Sequence, residues 1–172
     1  MLGVDELPLR SLAEAEERVN NVEISMVLDI SGSMGSGDKM SNLRTAAKTF
    51  VTTVLNDSTQ DLVSLSIVPY SEHVSAGPEI MSKFNVDYNN PYSHCLEFDE
   101  ANFNTSTLRR NKQYDQVQHF QWGTYSQTPS NYVCPTGQYE DVVAFSQNIS
   151  ALNNKIDRLV PRGSTSIFAG MK

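Results

Sequence analysis

One stretch constrains this chain more than any other: Val22-Glu23-Ile24-Ser25-Met26-Val27-Leu28, running into Asp29-Ile30-Ser31-Gly32-Ser33. Val22, Ile24, Met26 and Leu28 alternate with Glu23 and Ser25, and the run becomes apolar on both faces toward its end, as a strand does on entering a covered core. Glycines and serines then force a turn. Beyond it Met40, Leu43, Ala47, Phe50 and Val54 recur at helical spacing, which predicts a helix burying all five and stopping near Asn56-Asp57-Ser58. On that reading Phe50→Ala costs about 3–5 kcal/mol. A second strand is expected over 61–69, with Val63, Leu65 and Ile67 on one face, followed by a short edge strand folding back over His73 to Gly77. Strand, helix, strand is the opening of a parallel α/β sheet.

The turn after the first strand carries the chemistry. Asp29, Ser31 and Ser33 offer one carboxylate and two hydroxyls within five residues, at the carboxyl end of a parallel strand, where open α/β sheets place ligands. Hard oxygen donors suit Mg²⁺, Mn²⁺ or Ca²⁺ rather than zinc. Because hydroxyls are neutral, a bound cation keeps most of its charge and can accept a carboxylate from a partner, which favours ligation over bond cleavage. The competing reading is that Ser-Gly-Ser only caps the following helix.

The character of the chain changes between residues 85 and 139. That span holds ten of the fifteen aromatic residues (among them Tyr88, Tyr92, Phe98, Tyr114, Phe120, Trp122, Tyr125 and Tyr132) but only five Leu, Ile or Val. Both cysteines, Cys95 and Cys134, fall inside it. A loop-rich insertion stapled by a Cys95–Cys134 disulfide fits, because a poor aliphatic core needs a covalent constraint, and it implies an oxidising compartment. The alternative is two free thiols in a reducing one. His73, His94 and His119 are scattered and no Cys-x-x-Cys exists, so zinc is not expected.

Phe145, Ile149, Leu152, Ile156 and Leu159 then predict an amphipathic helix ended by Pro161, a turn over Arg162 to Ser166, and the start of another helix from Ile167. Leu159-Val160-Pro161-Arg162-Gly163-Ser164 spells a thrombin-cleavage linker, yet it continues the helix in period, and we read it as native. The 172 residues make one domain, with an N-terminal segment over 1–21. A net charge of −7 argues against a nucleic-acid partner. No apolar run reaches the ~20 residues that span a bilayer, and Asp5, Glu6, Glu14, Glu16 and Glu17 exclude a signal peptide as written. Any membrane attachment is expected through a segment outside these residues. No nucleophile–base pair, HExxH, phosphate loop or cofactor fingerprint is present, so no enzyme is expected. Asn56-Asp57-Ser58, Asn104-Thr105-Ser106 and Asn148-Ile149-Ser150 fit the glycosylation pattern, a triplet common by chance, and Lys39, Arg44 and Lys48 read as decoration of the exposed side of the first helix.

Val-Leu-Asp-Ile-Ser-Gly-Ser-Met, its following helix and the Gly163-Ser164-Thr165 turn resemble a von Willebrand factor type A domain over residues 22–80 and 143–172. The resemblance implies a doubly wound, Rossmann-like α/β fold occupying 22–172, interrupted by the 85–139 insertion. It also implies a metal ion-dependent adhesion site in which Asp29, Ser31 and Ser33 supply the first element and Thr165 the second. The family's third element, an aspartate on a further strand, has no counterpart before Lys172. The strand ending in Asp29 is therefore expected to be an open edge, and Mg²⁺ binding by these residues alone to be weak. The wording around the motif, with Ile67-Val68-Pro69-Tyr70 and Thr165-Ser166-Ile167, is similar to TadG-like proteins of bacterial tight-adherence pilus systems. That implies a metal-dependent adhesion module in a bacterial cell envelope, binding a protein that presents an acidic group. The alternative is a structural scaffold without metal, whose aromatic insertion contacts carbohydrate or a pilus component.

Overall fold

The computed structural model describes residues 21–59, 61–105, 107–117, 133–137 and 139–171. The N-terminal segment over 1–20, and with it most of the expected 1–21 unit, lies outside them, as do Phe120, Trp122, Tyr125 and Tyr132.

The first strand, β1 (Val22–Asp29), pairs in parallel with β2 (Val63–Tyr70), residue for residue from Val22↔Val63 to Asp29↔Tyr70. Helix α1 (Lys39–Val54) makes the crossover. The sheet is completed by β5 (Val143–Ser146), antiparallel to β2, in the order β1-β2-β5. Among the described residues β1 therefore has a neighbour on one side only. The edge strand expected over His73 to Gly77 does not form. Ser75 instead makes single bridges to Cys95 and Asp141, and β5 takes the place beside β2.

Alternation along β1 and β2 sends Ile24, Met26, Leu28, Val63, Leu65 and Ile67 to one face, where α1 and α4 (Ile149–Asp157) close the main core with Ala47, Val51, Leu55, Leu152 and Ile156. The other face is covered near the carboxyl ends by α5 (Ile167–Met171). Gly170 sits so close there that a Cβ on it would lie 2.7 Å from Tyr70 Cγ and 3.0 Å from Val27 Cγ1. Helices on both faces of the sheet make this an α/β fold.

Helix α1 turns inward four of the five residues expected, with Val51 buried in place of Phe50. Met40, Ala47 and Val51 are buried, Leu43 and Val54 partly so, and Phe50 is 41% exposed. From Ala47 both i+3 and i+4 satisfy helical spacing, and the fully buried position is Val51. Two of its basic residues do more than decorate. Lys48 meets Asp157 of α4 at 2.6 Å, and the Arg44 guanidinium donates to the Leu159 carbonyl at 2.5 Å.

The helix expected from Phe145 is in fact strand then helix. Val143 to Ser146 extend along β2 with Phe145 exposed, and Asn148 caps α4 by accepting a hydrogen bond from the Ala151 amide at 2.9 Å. The helix stops at Asp157, four residues ahead of Pro161, while Leu159 still packs in a core with Ile30 and Met40.

The insertion builds its own small cores. Strands β3 (Asn85–Asp87) and β4 (Gln113–Asp115) pair in parallel, with α3 (Glu100–Phe103) between them. Together with α2 (Gly77–Met81) they enclose Met81, Leu96 and Tyr114, and the Tyr114 ring meets Phe84 and Phe98 edge to face at 5.9 and 6.2 Å. Cys95 and Cys134 are disulfide-bonded, with Cα atoms 5.9 Å apart, and pack with Val117 and Val133. The amide-rich composition has a structural use. The buried Gln116 side chain accepts from the Asn89 and Asn90 amides and donates to the Asn90 and Ser93 carbonyls, pairing loop backbone that no strand reaches.

Candidate functional site

The Asp29 turn is shaped by its own side chains. The Ser31 amide donates to Asp29 Oδ1 at 2.7 Å, Ser31 Oγ and Ser33 Oγ lie 3.2 Å apart, and a single 3₁₀ turn over Gly32–Gly35 follows. Ser31 is fully buried, Asp29 half-buried and Ser33 exposed, so the group opens outward from a fixed base.

The Arg162–Ser166 loop is laced onto this turn through the backbone. The Arg162 amide donates to the Ile30 carbonyl at 2.8 Å, the Gly32 amide to the Gly163 carbonyl at 2.9 Å, and the Ser166 amide to the Ser71 carbonyl at 2.7 Å. Gly163 takes a φ of +76°, open to glycine at little cost. Thr165 is exposed on this loop, between the residues bonded to the turn and the one bonded to β2's end. Residues far apart in sequence, Asp29 to Ser33 and Thr165, thus belong to one laced pair of loops.

The donor set is compatible with a hard divalent cation. Two cis oxygens on an octahedral ion at about 2.0–2.1 Å lie about 2.9 Å apart, close to the Ser31–Ser33 separation, and one Asp29 oxygen is committed to the Ser31 amide while the other is not so used. Among the described residues no three His, Cys, Asp or Glu side chains converge on a metal position, so an ion here would draw mainly on neutral oxygens.

Ionic residues that no sequence pattern singles out brace the second loop. Arg162 Nε lies 3.3 Å from Glu140 Oε1 without a hydrogen bond of its own, and Glu140, 3% exposed at its side chain, also accepts from the Gly137 amide at 3.1 Å. Burial pushes the Glu140 carboxyl above its ordinary range, against the pull of Arg162. Nearby, burial lowers Lys155 from 10.5 to about 8, opposed by Asp141 and Glu140. The folded protein therefore releases this proton at lower pH than the unfolded chain does. Between about pH 8 and 10.5 the unfolded state binds more protons, so Lys155 makes stability rise with pH across that window. Lys155→Met should remove the rise in thermal unfolding followed over this range, and parallel curves for the two proteins would refute the assignment. The Leu159-to-Ser164 string is built into the fold through buried Leu159 and paired Arg162.

No protein-family model matches the chain, and no curated protein does. Among solved structures the chain is similar to the pilus adhesin SpaC from Lactobacillus rhamnosus GG in its open conformation, with 16% sequence identity, a TM-score of 0.44, and coverage of 90% of this chain but 12% of that one. No helix of the described residues is long and apolar enough to cross a membrane.

Proposed function

We propose that the chain is a metal-dependent protein-binding module of the von Willebrand factor A type, in which Asp29, Ser31, Ser33 and Thr165 hold Mg²⁺, Mn²⁺ or Ca²⁺ and the cation takes an acidic side chain from a protein partner. The observation that carries this reading is the lacing of the Gly163-containing loop onto the Gly32 turn, which brings two sequence-distant oxygen-bearing segments to the carboxyl end of β1. The ion would supply a positive charge that neutral hydroxyls leave largely uncompensated. The chain's own residues hold the oxygens and fix the loops. A role in adhesion or pilus assembly at a bacterial envelope, as in TadG-like proteins, accords with the Cys95–Cys134 disulfide, which persists in oxidising compartments.

With one carboxylate, Mg²⁺ binding is expected to be weak, with a dissociation constant on the order of a millimolar, as for oxygen sites of low charge. Ser31→Ala should weaken it at least tenfold in calorimetric titration while leaving the circular dichroism unchanged. Equal titrations for the two proteins would favour a scaffold in which the insertion, with its exposed Tyr88 and Tyr92, makes the contacts.

A further inference from the structure

Ser71, the residue immediately after β2, has a fully buried side chain, and its hydroxyl has no hydrogen-bond partner in the structure. Its backbone is committed on both sides: its amide donates to the His73 carbonyl at 3.2 Å and its carbonyl accepts from Ser166 at 2.7 Å. The residue before it, Tyr70, is in register with Asp29, and its carbonyl accepts from the Ile30 amide at 2.8 Å. Ser71 is thus fixed where the Asp29 turn and the Thr165 loop are stitched to the same strand end. Native proteins seldom bury a hydroxyl without a partner, and an orphan of this kind calls for a use. Its chemistry matches the two serines already in the turn.

We propose that the Ser71 hydroxyl is a further neutral oxygen donor of the cation site, so that β2 contributes to the ion's shell together with the Asp29 turn and the Thr165 loop. The inference rests on the metal-binding reading above, and extends it to a residue outside the D-x-S-x-S and threonine pattern. It also assigns a task to the end of β2, whose position is set by the parallel pairing with β1.

The test is Mn²⁺ titration, followed by calorimetry and by the electron paramagnetic resonance of free Mn²⁺, on the whole chain and on Ser71→Ala, Ser71→Cys and Ser31→Ala. Losing one donor should weaken Mn²⁺ about tenfold in Ser71→Ala, within the range seen when groups supporting a metal site are removed. The same substitution should raise the melting temperature of the metal-free protein, because it deletes an unpaired buried hydroxyl, and a residue that only supported the fold would not give these opposite signs. Ser71→Cys should shift preference from Mn²⁺ toward Cd²⁺, since a thiolate favours the softer ion. If the unmodified chain and Ser31→Ala differ in Mn²⁺ affinity while Ser71→Ala matches the unmodified chain within twofold, this inference falls and the metal-binding reading stands. If the unmodified chain shows no Mn²⁺ binding at all, both fall.

Discussion

Ile67→Ala should lower the free energy of unfolding by about 2–5 kcal/mol, while Phe50→Ala should change it by less than about 1 kcal/mol. Ile67 is completely buried on the central strand, paired with Met26 of β1 on one side and Val143 of β5 on the other, and its side chain belongs to the core shared by α1 and α4. Truncation removes apolar contact and leaves a cavity that two strand neighbours prevent from collapsing. Phe50, the larger side chain, is 41% exposed and loses little by truncation. Urea denaturation of both variants checks the pair. Equal losses would mean that α1 turns its phenylalanine inward after all.

Replacing both Cys95 and Cys134 with serine should destabilise the protein by up to about 4 kcal/mol, the chain-entropy value for a closed loop of this size. The loop spans a sequence separation of 39, and among the described residues the two sulfurs share a core with Val117 and Val133. Among the described residues that core holds few apolar groups beside the bond, so the loss should be concentrated in the insertion. Hydrogen exchange should show amides of β3 and β4 losing protection before those of β1 and β2. Uniform loss would indicate that the insertion and the sheet unfold as one cooperative unit.

Much of the α/β core was legible in the sequence because its strands are covered by helices and therefore carry strong periodicity. The ends of β1 and β2 and the body of α1 lie within a residue or two of where Val22 to Asp29, the 61–69 run and the Met40 stripe placed them. Periodicity failed where two registers satisfy it equally. Phe50 and Val51 both suit a helix, and only the position of the sheet decides between them. It failed again at Phe145, where a strand residue happened to stand four places ahead of Ile149, although Asn148, a good capping residue, marked the boundary. In the insertion, pairing depends on side-chain amides such as Gln116 bonding to distant backbone, which leaves no period at all. At the site, the Asp29 turn could be recognised locally. The Glu140–Arg162 pair and the enclosed Ser71 hydroxyl could not, because burial and long-range proximity are properties of the fold.

The Arg162–Glu140 pair has a consequence for modularity. Glu140 lies just past the insertion's return and six residues beyond Cys134, whereas Arg162 begins the loop that carries Thr165. The insertion is therefore no detachable ornament that could be trimmed to a short linker while the rest kept its shape. Splicing it out would remove Gly137, whose amide donates to Glu140, and grafting the Asp29 and Thr165 loops onto another scaffold would leave behind the buried carboxylate facing Arg162. The transplanted loop would keep its sequence and lose the buried carboxylate that braces it.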